Sequence, residues 1–325
     1  MTQPVEDAEP AKAATRDPLL QVERDVLAVV RGNPEAVRLA LAAILAGGHV
    51  LLEDVPGVGK TTLARALARA LGCSFSRIQV TADLLPSDVL GVQILEAATG
   101  SLRFKRGPIF AHLVLADEIN RASPKTQSAL LEAMADGQIS VDDETHPLPP
   151  PFCVLATQNP VEHHGAYPLP ESQLDRFLLC LSLGYPPAED ERALLVQNKS
   201  ADDALRTLSA RLDPAGLLRL QAAARAVTLS DAVAQYLLAI VEGTRRHAGL
   251  ELGCSPRGAL AWGSLARARA FLDGRAFVLP DDVKATAHAV LVHRIAPRGM
   301  PEGAEARRRA RDVVAELLTR TPAPR

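Results

Sequence analysis

The chain has 325 residues, enough for about two domains on a prior of roughly 150 residues each. Apolar residues make up 47% of it and aromatics only 3%, so a sizeable core must be packed mainly by Leu, Ala and Val. A formal net charge of -2 excludes a global basic field, which weighs against nucleic acid or an anionic membrane as the partner.

In chain order, residues 1–17 mix Glu, Asp, Pro, Lys and Arg and have no apolar signal-peptide core. They read as a disordered tail on a cytoplasmic protein. No later stretch reaches the roughly 18 consecutive apolar residues of a membrane span. Asn33-Pro34-Glu35 predicts an N-cap, a first-turn proline and an acidic first turn. Val37, Leu41, Ile44 and Leu45 follow at helical spacing, and Gly47-Gly48 ends the helix. Strands are expected at 49–53, 77–81, 113–116, 152–157 and 177–183, alternating with helices. That alternation predicts an α/β domain over 18–184, built on a mostly parallel sheet covered on both faces.

Gly184-Tyr185-Pro186-Pro187 breaks the pattern and marks a domain boundary. Beyond it, residues 185–325 predict a helical domain without strands. Helices are expected at about 187–198, 214–227, 231–247, 256–272, 281–295 and 302–318. Cys73, Cys153, Cys180 and Cys254 are scattered, with no Cys-x-x-Cys pair, so neither a zinc site nor a disulfide framework is indicated. His163 and His164, beside Glu162, lack further ligands at metal spacing and read as loop residues.

Between the first strand and its helix stands Val55-Pro56-Gly57-Val58-Gly59-Lys60-Thr61-Thr62. Gly57 and Gly59 let backbone N–H groups approach phosphate oxygens, and the helix start adds a positive dipole end. Lys60 is placed for the β- and γ-phosphates of ATP, and the Thr61 hydroxyl for Mg2+. Asp54 departs from the standard pattern, which has glycine there. Asp tolerates left-handed backbone angles better than most residues, so the turn survives.

His112-Leu113-Val114-Leu115-Ala116-Asp117-Glu118 is an apolar strand ending in two acids. Asp117 is placed to hold Mg2+ through water, and Glu118 to polarise the attacking water as a general base. The strand ending in Gln158-Asn159-Pro160 puts polar groups at the ligand end of a parallel sheet. Asn159 either contacts the γ-phosphate or lytic water, or only heads an Asx turn.

These stretches together resemble the AAA+ ATPases, and more closely the MoxR family. The resemblance rests on LLEDVPGVGKTTLARALA, GPIFAHLVLADEINRASPKTQSALLEAM, VLATQNP and AYPLPESQLDRF, and it covers roughly residues 30–295. It implies that Asp54 is a family variant and that Asn159 is the sensor 1 residue. It further implies that Arg176 is an arginine finger reaching a neighbouring subunit's γ-phosphate, and that Arg257 is sensor 2 on a helical lid. Arg121 is a rival finger or an interface residue, and a salt bridge is the plainer role for Arg176 or Arg257. The segment 83–108 reads either as a substrate-engaging insertion or as a solvated charged hairpin.

The resemblance also implies a ring, typically a hexamer, working with von Willebrand factor A domain proteins to mature client complexes. A chelatase-like or DNA-acting motor shares the same site. A nucleotide-dependent scaffold would need no hydrolysis, but the presence of Lys60, Asp117, Glu118 and Asn159 argues against it.

Overall fold

The computed structural model describes residues 8–96, 100–141, 144–159, 167–197, 201–299 and 303–324. Five parallel strands form its central sheet: β1 (Val50–Glu53), β2 (Phe75–Gln79), β5 (Leu113–Asp117), β8 (Cys153–Gln158) and β9 (Leu179–Leu181). Their spatial order is β2-β5-β8-β1-β9. Alternate residues of each strand face opposite layers. Val50, Leu52, Leu113, Leu115, Cys153 and Leu155 point into one apolar cluster. Leu51, Val114, Ala116, Val154 and Ala156 point into a second. Helices α1 (Ala8–Val29), α2 (Pro34–Leu45) and α3 (Lys60–Ala70) cover the first face. Short α4 (Pro86–Leu90) and α5 (Pro124–Asp136) cover the second. This is the two-sided burial that makes parallel strands read as unbroken apolar runs.

Helix α1 corrects one expectation. It starts at Ala8, inside the stretch read as a disordered tail. Ala8, Ala11, Ala13 and Ala14 are strong helix formers, and they outweigh the charged composition there. The predicted cap of α2 is present: the Asn33 side chain accepts from the N–H groups of Glu35 and Ala36.

Two hairpins leave the sheet. One pairs β3 (Gly91–Glu96) with β4 (Ser101–Arg106), and the other pairs β6 (Gln138–Val141) with β7 (Glu144–Pro147). The second lies where no strand was expected. The first exposes Leu95, Leu102, Arg103, Lys105 and Arg106 along its length. The hairpins are fastened together, since the Phe104 ring of β4 stacks on His146 of β7 at a centroid distance of 4.0 Å. His163 and His164 lie outside the described residues.

After β9 and the one-turn α6 (Glu171–Leu174) that precedes it, the chain becomes helical. The helices are α7 (Ala188–Gln197), α8 (Ala201–Thr207), α9 (Pro214–Arg225), α10 (Asp231–Arg246), α11 (Pro256–Leu272), α12 (Pro280–Leu291) and α13 (Ala304–Arg320). Helix α8 was not foreseen. The expectation of no strands is also corrected, because β10 (Leu250–Leu252) pairs antiparallel with β11 (Ala296–Pro297). Runs of three and two residues carry no readable alternation.

The helical part shares the first apolar cluster with α1, α2 and α3, so one core runs through both. Two buried polar contacts fix its packing. Trp262, fully buried on α11, donates its indole N–H to Thr286 Oγ1 of α12 at 2.9 Å. Gln221 of α9 donates to the carbonyl of Ile44 at 2.7 Å, near the end of α2.

His49, just before β1, makes buried polar contacts within the α/β part and yields a pH prediction. Its Nδ1 accepts the N–H of Val154 at 3.0 Å, so the neutral ring carries its proton on Nε2, 2.9 Å from the carbonyl of Met134. Burial pushes its pKa down to about 4 from 6.5. A folded-state pKa below the unfolded value means that the unfolded chain binds the extra proton. The stability contribution is therefore complete above pH 6.5 and lost as pH falls towards 4. We expect about 2 kcal/mol less stability at pH 5 than at pH 7 from this group. Denaturant titrations at the two pH values, flattened in His49→Gln, check this.

Candidate functional site

The C-terminal ends of β1, β5 and β8 open into a cavity of about 350 Å³. Pro56, Gly57, Gly59, Lys60, Thr61, Thr62, Arg77, Asp117, Glu118 and Asn159 line it. Gly57 and Gly59 sit at φ 88° and 95°, and a Cβ on either would meet nothing within 4 Å. Glycine is needed there for backbone angle and not for space. Gly59 caps α3 without any side-chain hydrogen bond, which leaves the first N–H groups of that helix for an anion. Val58 is buried and Val55 packs against the core, so the loop is anchored on its protein side.

Lys60 donates from Nζ to the carbonyl of Asp54 at 2.6 Å. Burial lowers its pKa, against the raising charges of Asp54, Asp117 and Glu118. Asp117 is held on both oxygens. Thr157 Oγ1 donates to Oδ1 at 2.7 Å, and Arg77 Nη2 donates to Oδ2 at 2.6 Å. The same Thr157 oxygen accepts the N–H of Glu118 at 2.8 Å. Glu118 adopts φ 61°, ψ 51°, and is the one non-glycine at positive φ among the described residues. Left-handed backbone costs about 1–2 kcal/mol for such a residue. Arg121 pairs with Glu118 Oε2 at 3.0 Å across the intervening 3-10 turn. Asn159 follows β8 directly and is buried at the cavity wall.

The donor set fits Mg2+, since the Thr61 hydroxyl and Asp117 carboxylate are hard oxygen donors facing one cavity. Arg77 and Thr157 were missed by sequence reasoning. Arg77 was taken as the first residue of a strand, although it shares a face with Gln79 and sits two residues back from the end of β2. A charged residue inside a strand, on the face that ends at the ligand crevice, was the available signal.

The Asp54 reading needs a correction. It is not in the left-handed region. Its Oδ2 instead accepts Ser182 Oγ at 3.1 Å and the N–H groups of Leu183 and Gly184 at 2.5 and 3.0 Å.

Arg176 and Arg257 do not line the cavity. Arg176, after α6, donates from Nη1 to the carbonyl of Leu131 at 2.7 Å. Arg257 is exposed in the first turn of α11. A hub joins their surroundings. Asp175 accepts Ser255 Oγ, the N-cap of α11, at 2.9 Å. It also accepts Nε of the buried Arg294 at 2.9 Å. Arg294 further donates to the carbonyls of Leu178 and Val290. The neighbouring His293 is buried beside it, and burial together with the Arg294 charge holds its pKa well below the ordinary value.

Comparison with known proteins agrees with this geometry. The ATPase family associated with various cellular activities (AAA) matches residues 49–179, and the AAA lid domain matches 242–317. The chain is 40% identical to Chaperone MoxR1 of Mycobacterium tuberculosis, over 83% of this chain and 74% of that one. The protein belongs to the MoxR family of AAA+ ATPases. Another relative of this MoxR protein is YeaC of Bacillus subtilis, itself uncharacterised, at 48% identity over 89% and 91% of the two chains. A crystal structure from Cytophaga hutchinsonii, provisionally classed as an ATPase, superposes with a TM-score of 0.87 at 35% identity, covering 99% of each chain. The helical part following the sheet is therefore the lid of a MoxR-type ATPase.

Proposed function

We propose that this MoxR protein hydrolyses Mg-ATP at the interfaces of a homo-oligomeric ring, a hexamer on the family pattern, and uses turnover to remodel client protein complexes. One observation carries the reading. Lys60, Thr61, Asp117, Glu118 and Asn159, from three separate strand ends, line one cavity above an uncapped helix start. Backbone N–H groups from Gly57 to Thr61 and the Lys60 ammonium bind the phosphates, with Thr62 and the lid's Arg257 completing the nucleotide site. Thr61 and Asp117 would hold Mg2+, which neutralises phosphate charge when bound. Glu118 takes the proton of the attacking water, and Asn159 orients that water. Arg176 serves the neighbouring subunit's site.

The chaperone part of the proposal leans on the name of the MoxR1 relative. Von Willebrand factor A domain proteins remain the partner class of choice. No helix among the described residues is long and apolar enough to cross a membrane. The free cysteines fit a reducing compartment, and we place the protein in the cytoplasm.

Phosphate release from Mg-ATP by the assembled protein tests the reading. We expect steady turnover. Lys60→Ala is expected to weaken ATP binding by about tenfold or more, because a charge-assisted phosphate contact is lost. Calorimetry giving unchanged affinity would take Lys60 out of this role, and an assembled wild type without turnover would leave a scaffold.

A further inference from the structure

We infer that the Asp54 carboxylate is a tether through which the nucleotide loop and the lid sense each other. The inference rests on the loop binding nucleotide. Asp54 stands at the position where an ordinary phosphate-binding loop has glycine, yet its backbone does not use the left-handed angles that would explain glycine there. What it uses is its side chain. One buried oxygen, Oδ2, collects Ser182 Oγ and the N–H groups of Leu183 and Gly184. Those three residues are where the chain leaves β9 for the helical part, and Gly184 turns it at φ 68°.

The backbone carbonyl of the same residue accepts the Lys60 ammonium at 2.6 Å. A phosphate that draws Lys60 away from this carbonyl therefore acts on the residue that holds the lid connection. The preceding residue repeats the pattern. Glu53 accepts Arg307 of α13, the last helix of the lid, and Gln158 of β8. Two consecutive carboxylates at the end of β1 thus join the start of the loop to the connection that leads to the lid and to the lid's last helix. Charge-assisted hydrogen bonds of this kind are the strong ones, and three on one buried carboxylate oxygen resist being broken singly.

The test is hydrogen exchange on the full-length protein with and without Mg-ADP, comparing wild type, Asp54→Gly and Asp54→Asn. Wild type is expected to gain protection on ADP binding both at 57–62 and at Leu183 and Gly184. Asp54→Gly restores the ordinary loop residue and removes the tether. It is expected to keep ADP-dependent protection at 57–62, while Leu183 and Gly184 exchange about tenfold faster and no longer respond to ADP. Asp54→Asn is expected to fall between, because a single carbonyl oxygen can still collect all three donors. A response at Leu183 and Gly184 that persists in Asp54→Gly overturns the tether. So does loss of ADP binding in a folded Asp54→Gly, which would make the side chain part of the phosphate site. Unfolding of both variants would make Asp54 a stability residue and overturn it too. Absence of ADP protection at 57–62 in wild type fails the nucleotide reading itself, a separate result.

Discussion

Glu118→Gln is expected to bind Mg-ATP as wild type does and to lose turnover by about a hundredfold or more, the usual contribution of a positioned general base. The motivation is geometric. Glu118 lines one cavity with Asp117, Asn159, Lys60 and the loop glycines. Its main-chain N–H is held by Thr157, so the backbone position does not depend on the carboxylate. Glutamine keeps the shape, and Arg121 loses only a charged partner. Binding by fluorescent nucleotide and turnover by phosphate release separate the two effects. Wild-type turnover in the variant would remove Glu118 from the base role, and lost binding would give it a ground-state role instead.

Arg176→Ala is expected to lose about a thousandfold in turnover, the lower range for an arginine finger. Within one chain, the Arg176 guanidinium donates to the carbonyl of Leu131 and does not line the cavity. If it acts on a neighbour, two dead variants should complement. A ring mixed from Arg176→Ala and Glu118→Gln subunits contains sites with an intact base facing an intact finger. Partial recovery of phosphate release in the mixture is the expected result. Mixed assembly without recovery would turn attention to Arg121, which already pairs with the Glu118 of its own chain.

What was legible in the sequence was mostly local. The loop glycines, Lys60 and the cap at Asn33 are encoded by neighbours within a few residues, and each is found where expected. The apolar runs of β5 and β8 were equally plain, because both faces are buried. Contacts between distant residues were not legible. Arg77 reaches Asp117 across 40 positions, and Asp54 reaches Leu183 across 129. The β6–β7 hairpin is largely polar and exposed, with only Ile139 buried among its described residues, so no apolar alternation announced it. Asp54 was misread for the same reason. A local backbone explanation was sought for a side chain whose partners follow β9, the strand next to β1 in space but far away in sequence.

Glu118 has a further consequence. A glycine at that position would adopt φ 61° freely and relieve the local strain. A sequence chosen only for foldability would carry glycine there. A stabilisation campaign that ranks substitutions by folding free energy alone would therefore nominate the proposed general base among its first replacements, and is expected to produce a sturdier protein without turnover.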